Sequence, residues 1–414
     1  MSAGPSMDDR ALVAPAAAGP RALVALLVII AATAAPGFLP ALFATRLAAA
    51  ASRSPADVGT LIGASLCAGC VGALLAGHAV SRWGAGIVLR TALPIAGGAT
   101  ALVAAVTAWP ALVLAIAVLG AAVSGCGLAA ASALTSTRPD QPRRLLCAQL
   151  VVTAGMGMTL PLIVGVVAGP APDDAAAFRP LLAMCGVPLA AAALLVPTLP
   201  SRVPRPLEGP SSEAHPRPVE LVVFALLIGL HAGADHALYQ WGPTLLADAP
   251  GEPPFPTVWI LSATSAVYLA VRLALMSMPD GWGARALAIA PGGIACALLM
   301  LALGYGGSFA LTAVAIVGTA VCTGIQYPAL VGALARRRPR HVPLILAIAA
   351  LGSAVGATTL TWTVGVVAEA SGLRIGLMVV PIALAGFSCL AWCLLAIISA
   401  SRRRAAAVAT APIA

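Results

Sequence analysis

Charge and side-chain amides are scarce in this chain. Only 9% of its 414 residues are charged, it has no lysine or asparagine, and it has four glutamines. A soluble domain carries about a quarter charged residues, so this composition excludes an ordinary soluble protein. Hydrophobic residues instead make up 60% of the sequence. They form a series of runs that approach the ~20 residues needed to cross a bilayer.

Several chemical signatures are also missing. The sequence contains no phosphate-binding loop, which argues against an ATP-driven pump. It has neither an H-E-x-x-H pattern nor a clustered nucleophile and base, so we expect no enzyme activity, no cofactor and no bound metal. The nine cysteines are scattered, and the Cys67–Cys70 pair lacks neighbouring ligands. We interpret them as small apolar helix residues.

Hydropathy predicts twelve membrane-spanning helices, and therefore an all-α polytopic membrane protein. The first run is too long for a cleaved signal peptide and should act as a signal anchor. The predicted spans are 22–44, 57–80, 88–108, 111–135, 145–168, 180–199, 219–246, 257–278, 285–304, 308–334, 343–368 and 375–400.

A Pro- and Ser-rich segment near mid-chain, "PSRVPRPLEGPSSEAHPRP", predicts a linker between two six-helix bundles. The expected organisation has five regions. They are a cytoplasmic tail over 1–21, an N-terminal bundle over 22–199, the cytoplasmic linker over 200–218, a C-terminal bundle over 219–400 and a basic cytoplasmic tail over 401–414.

The distribution of arginine predicts the orientation. With the N-terminus inside, the cytoplasmic segments hold eighteen Arg, the outer loops hold four, and Arg272 lies within a span. The positive-inside rule then predicts that both termini are cytoplasmic in a cell (inner or plasma) membrane. The net charge of +9 is thus a signal of topology, and we expect no nucleic-acid partner.

The sequence repeats itself at half its length. A shift of 199 residues places the Trp-Gly-Ala of 83–85 on that of 282–284. A shift of 200 places "TLPLIVGVVAG" (159–169) on "TLTWTVGVVAE" (359–369). Since both halves would begin on the cytoplasmic side, these are parallel repeats related by an axis along the membrane normal.

The loop between spans two and three resembles a signature of the major facilitator superfamily, G-x-x-x-D-R/K-x-G-R/K. The matching residues are Gly77, Arg82 and Gly84, while Ser81 replaces the acid. The resemblance implies two six-helix bundles and a loop whose acid and base bridge neighbouring helices when the transporter is outward-open. Ser81 cannot supply that carboxylate, so this first copy is degenerate.

The second copy, between spans eight and nine, is degenerate in the opposite sense. It keeps the acid as Asp280 and the glycine as Gly283, and the base that follows the acid is lost, with Arg285 further on. The alternative interpretation of both loops is a plain basic turn on the cytoplasmic side.

Span seven is similar to a fucose-permease-like subset of the same family. That subset has Gly-x-Glu and Trp-x-Pro, which appear here as Gly-Ala-Asp at 233–235 and Trp-Gly-Pro at 241–243, with Arg272 in span eight matching a further basic residue. Span five keeps Pro161 and Gly165 of the family's antiporter motif, which would make it a hinge.

Ionisable side chains inside spans cost ~2.5–3.5 kcal/mol to insert, so each needs a partner or a role. His231, Asp235 and His236 cluster in span seven, and Arg272 lies at a similar depth. We expect Asp235 to bind a proton or a cationic group, with Arg272 and the histidines tuning its affinity. The alternatives are a fixed Asp–Arg ion pair between helices, and an Arg272 that snorkels to the cytoplasm.

Other polar side chains are expected to line the same cavity, although each is also compatible with ordinary packing. Because the chain has so few side-chain amides, a cavity in it would lack the hydrogen-bonding groups that a polyhydroxy sugar needs. This favours an amphipathic metabolite or drug-like compound as the substrate. These further candidates are Gln149, Tyr239, Trp241, Tyr268 and Gln326.

The leading hypothesis is a monomeric secondary transporter that moves a small organic molecule by alternating access, coupled to protons and with export as one direction. The alternatives are a transporter-like sensor or structural protein, a transition-metal carrier and a sugar carrier. The expected partners are the substrate, protons and the lipid bilayer.

Overall fold

Apolar segments in a bilayer must satisfy their backbone polar groups internally, and a helix does so within one segment. In the computed structural model the described part of the chain contains helices and turns and no strand. The described residues are 20–38, 42–43, 47, 51–53, 55–137, 142–167, 179–180, 183–198, 218–250, 254–278, 284–304, 308–337 and 341–409.

Thirteen α-helices are numbered here in chain order within those ranges. They are α1 (Pro20–Gly37), α2 (Pro55–Trp83), α3 (Ala85–Ala105), α4 (Trp109–Thr137), α5 (Pro142–Val167), α6 (Val187–Ala193), α7 (Pro218–Ala247), α8 (Trp259–Ser277), α9 (Ala284–Gly304), α10 (Phe309–Arg337), α11 (Val342–Ser371), α12 (Leu373–Leu377) and α13 (Val379–Ala409).

Ten helical segments among the described residues are long and apolar enough to cross a membrane, and Ala290–Gly304 is a shorter apolar helix. The described part of the predicted span over 180–199 is not one continuous helix. Its described part contains α6, of seven residues, and a 3-10 turn at Val196–Thr198. Gly186, Pro188 and Pro197 explain the interruptions, because glycine and proline disfavour a helix interior.

The helix boundaries follow the internal repeat. Helices α3 and α9 both contain 21 residues and begin 199 positions apart, at Ala85 and Ala284. Helices α4 and α10 both contain 29 residues and begin 200 positions apart, at Trp109 and Phe309. At the C-terminus, α13 continues past the predicted span end at 400 to Ala409, in a run rich in Arg and Ala, which are strong helix formers.

Within the halves, glycines allow two helix pairs to approach closely. Helix α2 packs on α4, and α7 packs on α11. On α7, a Cβ at Gly233 would lie 2.6 Å from the carbonyl oxygen of Gly356 on α11. Small residues let membrane helices come this near, and the contact fixes the rotation of α7 about its axis.

Among the described residues, the two most extensive contacts between the N-terminal and C-terminal halves are seams between pairs of helices. The α2–α11 seam sets Gly59, Gly63 and Cys67 of α2 against Thr358 and Trp362 of α11.

The α5–α8 seam runs along most of both helices. It sets Leu150, Gly157 and Gly165 of α5 against Arg272, Ser265 and Trp259 of α8, in that order.

We call the end of the bundle at which α1 and α7 begin the linker end, and the opposite end the far end. In the far half, aromatic side chains make contacts between the two halves. Phe38, after α1, packs on Tyr239 of α7 with ring centroids 5.9 Å apart. Trp362 covers Gly59, and Trp259 covers Gly165.

Candidate functional site

Asp235 lies in the middle of α7 and is held by hydroxyl groups from two other helices. The Tyr268 hydroxyl of α8 donates to its Oδ1, and Thr323 Oγ1 of α10 donates to the same atom at 2.9 Å. The two hydroxyl oxygens lie 3.2 Å from each other. Asp235 is half-buried, so three helices of the C-terminal half converge on one carboxylate.

Arg272 lies one helical turn beyond Tyr268 on α8. Its guanidinium carbon is 4.9 Å from the centroid of the Tyr268 ring, a cation–π contact. Its Nη1 donates to the backbone carbonyl of Leu150 on α5 at 2.9 Å, and therefore bonds the opposite half of the molecule. Its Nε is shielded from solvent and has no hydrogen-bond partner in the described structure.

The alternative interpretation, a direct ion pair between Asp235 and Arg272, is not seen among the described residues. Instead, Tyr268 lies between them. Its hydroxyl donates to the Asp235 carboxylate, and its ring packs against the Arg272 guanidinium. The two charged groups do share a depth. Asp235 lies about 18 Å from the far end of α7, and Arg272 lies about 20 Å from the far end of α8.

The two histidines of α7 point in different directions. His231 is buried, and its Nδ1 lies 3.0 Å from Oε1 of Gln326 on α10. Its ring also contacts Tyr327 and Phe387, each with centroids 6.3 Å away. His236 is exposed, and its Nδ1 lies 2.9 Å from the carbonyl of Ala232 in its own helix.

The remaining cavity candidates divide into lining and packing residues. Tyr239 and Tyr268 line a small cavity beside Asp235, on its far-end side. Trp241 is buried against α11, and its Nε1 donates to the carbonyl of Thr361 at 3.3 Å, which is a packing role. Gln149 is half-buried on α5, next to the Leu150 carbonyl that binds Arg272.

The cavity beside Asp235 is largely apolar. Its polar lining comes from side chains of α7 and α8, while α10 contributes alkyl groups. The lining residues are Asp235, Leu238, Tyr239, Ile260, Leu261, Thr264, Tyr268, Ile316 and Ala320.

Thr323 was not a predicted site residue. A signal for it exists in the sequence, since Thr319, Thr323 and Gln326 follow one another at spacings of four and three residues and share one face of α10. All three are buried. In the described part of the chain, no three His, Cys, Asp or Glu side chains are grouped as metal ligands would be.

The first gating loop forms a tight turn between α2 and α3. Gly84 has φ +89°, a left-handed conformation that a side chain would strain. Ser81 Oγ donates to the carbonyl of His78 in its own helix at 2.7 Å, and both Ser81 and Arg82 are exposed. A Cβ on Gly77 would lie 3.3 Å from Leu128 of α4.

The second gating loop falls almost entirely outside the described residues, including Asp280 and Gly283. Arg285 lies in the first turn of α9, and its side chain is likewise outside them.

The candidate hinge of α5 is described in full. Pro161 lies inside the helix, and a Cβ on Gly165 would fall 2.8 Å from Cδ1 of Trp259. Gly165 is therefore required for the approach of the indole.

These observations define a multi-span helical membrane protein with a half-buried acid and a half-buried base in its C-terminal half. Solved transporters superimpose on it. The D-xylose-proton symporter has a TM-score of 0.69 at 16% identity, over 90% of this chain and 96% of that one. The transporter FucP has a TM-score of 0.66 at 15% identity, over 89% and 97%. The human organic anion transporter MFSD10 (TETRAN) has a TM-score of 0.64 at 13% identity, over 90% and 99%.

The chain thus has the fold of the major facilitator superfamily, as its motifs predict. The predicted resemblance to fucose permeases is also seen, because FucP, a fucose:proton symporter, is among the structures that superimpose on it. At these identities the likeness establishes the fold alone. No protein-family profile matches the sequence. No curated protein matches it either.

Proposed function

We propose that this protein is a proton-coupled secondary transporter of a small organic molecule. The observation that carries the proposal is Asp235, a carboxylate within a membrane helix that is held by two hydroxyls and by no cation among the described residues. An intramembrane carboxylate is costly to insert and typically marks an ion or substrate pathway. Hydroxyl partners satisfy the ionised form and can also accept from the protonated form.

Alternating access would use the two seams. Secondary transporters of this kind rock one bundle against the other around a site near the bilayer midplane. We infer that twelve spans form two six-helix halves with both termini cytoplasmic, in the cell membrane, so that the linker end faces the cytoplasm. The closed far end then corresponds to an inward-facing arrangement, supported by the Phe38–Tyr239 contact and the two tryptophan–glycine contacts.

We infer an amphipathic cargo from the composition of the cavity walls, since the cavity as it stands has room only for a water-sized group. Its walls are mostly alkyl groups, with the Asp235 carboxylate and tyrosine hydroxyls as polar groups. A sugar is the second candidate, because two of the similar structures are described as a D-xylose-proton and a fucose:proton symporter. A sensor that moves nothing would share the fold but would show no flux.

Gradient-driven flux tests the proposal. The full-length protein in liposomes is given a pH gradient, and the uptake of benzoate, benzamide, benzylamine and L-fucose beyond that of protein-free liposomes is compared with and without it, because neutral benzoic acid and benzylamine cross a bilayer unaided. We expect gradient-dependent flux of at least one aromatic probe, and its loss in Asp235→Asn. A matched control is Glu369→Gln on the exposed far end of α11. If no probe moves in response to the gradient, the transport proposal is wrong.

A further inference from the structure

Arg272 has far fewer partners than a guanidinium requires. The group carries five N–H donors, and the structure gives it one hydrogen bond, to the Leu150 carbonyl. The contact with the Tyr268 ring covers one face and leaves the donors at the edge free. The shielded Nε in particular donates to nothing in the described residues.

No carboxylate bonds directly to Arg272 among the described residues. A buried cation left without a counter-charge is strongly unfavourable, so membrane proteins pair such groups. The nearest candidate, Asp235, is already engaged by Tyr268 and Thr323, and no carboxylate forms an ion pair with Arg272 among the described residues. Arg272 therefore offers an incoming anion a positive charge and an N–H donor that has no partner in the described structure.

The geometry favours a planar anion. The Nε–Nη edge of arginine matches a carboxylate, which accepts two parallel N–H bonds. Arg272 as a whole is half-buried, and its Nε is shielded from solvent. It also shares its depth in the bundle with Asp235, near the place where a substrate of this fold would bind.

The existing bond of Arg272 crosses between the halves. Leu150 belongs to α5 of the N-terminal half, and its carbonyl already lies within a helical ladder. A neutral carbonyl is a weaker partner for a guanidinium than a carboxylate. A bound carboxylate would consequently draw Arg272 away from Leu150 and loosen the α5–α8 seam.

We propose that Arg272 binds the carboxylate of a small organic anion, and that this binding releases the hydrogen bond between α8 and the Leu150 carbonyl of α5. This inference rests on the proposed transport function and names its substrate class. It also makes the bond across the α5–α8 seam responsive to substrate.

The test compares acids with their amides. The purified full-length protein is titrated with benzoate against benzamide, and with indole-3-acetate against indole-3-acetamide, while thermal unfolding is followed. We expect the carboxylates to stabilise the protein, and their apparent affinity to fall about tenfold or more in Arg272→Gln. Arg272→Lys keeps the positive charge but lacks the two parallel N–H donors of a guanidinium, and it should recover part of the lost affinity. Arg90→Gln, at an exposed arginine of α3 outside the gating loop, is the matched control.

A second readout, placed in the α2–α11 seam, reports whether the two halves move when the α5–α8 bond is released. A cysteine at Gly59 has room, since its Cβ would lie 3.7 Å from Trp362, and it reports opening of the far end. Carboxylates should raise its labelling in the parent background, and Arg272→Gln should abolish that response. Equal stabilisation by amides, no stabilisation by either carboxylate, or unchanged carboxylate affinity in Arg272→Gln would each overturn the proposal.

The flux assay separates the two proposals. If benzamide or benzylamine moves with the pH gradient and Arg272→Gln does not impair it, the transport function stands and the anion site fails. If no probe moves at all, the transport function itself fails.

Discussion

The two seams between the halves have the same architecture and different chemistry. The α2–α11 seam joins small and apolar residues, and its one described hydrogen bond is a weak contact of 3.8 Å between Cys67 Sγ and Thr358 Oγ1. The α5–α8 seam joins a charged side chain to a carbonyl at 2.9 Å. A tryptophan covers a glycine in both. Under the proposed function, both seams would hold the halves together, and the α5–α8 seam would also respond to the substrate.

The largest effect is expected from an alanine placed in each seam. In Gly165→Ala the new Cβ would lie 2.8 Å from Cδ1 of the Trp259 indole, and the ring or the helix must move. In Gly63→Ala it would lie 3.5 Å from Cγ2 of Thr358, an ordinary contact. We expect Gly165→Ala to destabilise the protein by about 1–3 kcal/mol and Gly63→Ala to be nearly neutral, measured by thermal unfolding in detergent. Equal effects would remove the distinction between the seams.

An intermediate effect is expected from the tyrosine that links the acid to the base. Tyr268→Phe removes the hydroxyl that donates to Asp235 and keeps the ring under Arg272. A hydrogen bond to a charged group is worth about 1.5–3 kcal/mol, so gradient-driven transport should slow by about tenfold or more. Tyr327→Phe, in the neighbouring α10, controls for the loss of a buried hydroxyl. Comparable slowing in both variants would show that the bond to Asp235 is not specific.

The smallest effect is expected at the linker end, away from both seams. Ser81→Asp restores the acid of the family's loop, and Ser81 now bonds only its own helix in the described structure. An exposed ion pair is worth about 0.2–1 kcal/mol, so the outward-open state should gain no more than about fivefold in population. Labelling of a cysteine at Gly59 measures the change, with Ser81→Ala as the uncharged control. Unchanged labelling would identify the loop as a plain basic turn.

Much of the architecture is predictable because the bilayer imposes it. Long apolar runs with few charges must become helices. Ten helical segments among the described residues are long and apolar enough to span, and the predicted span over 285–304 contains the shorter apolar helix Ala290–Gly304. The span over 180–199 is the exception. Its prolines and Gly186 are visible in the sequence, but hydropathy averages over them and registers only their apolar neighbours. The C-terminal helix, which runs to Ala409, continues for lack of any helix breaker.

The charged residues of the candidate site could be recognised in the sequence, but the side chains and carbonyls that contact them could not. Asp235 and Arg272 stand out because ionisable groups are costly inside spans. Their separation by Tyr268 depends on how α8 is rotated against α7 and α10, which hydropathy does not specify. The bond from Arg272 to Leu150 depends on packing between the halves. Thr323 was missed because threonine is common in membrane helices and carries no charge.

The central claim is that Asp235 couples proton movement to transport, and it is tested most directly by separating exchange from accumulation. For any compound that moves with the pH gradient, Asp235→Asn is reconstituted, and both gradient-driven accumulation and equilibrium exchange are measured. We predict that accumulation is lost while exchange persists, because the amide cannot carry a proton but can occupy the same site. Retained accumulation in Asp235→Asn, still dependent on the gradient, would contradict the claim.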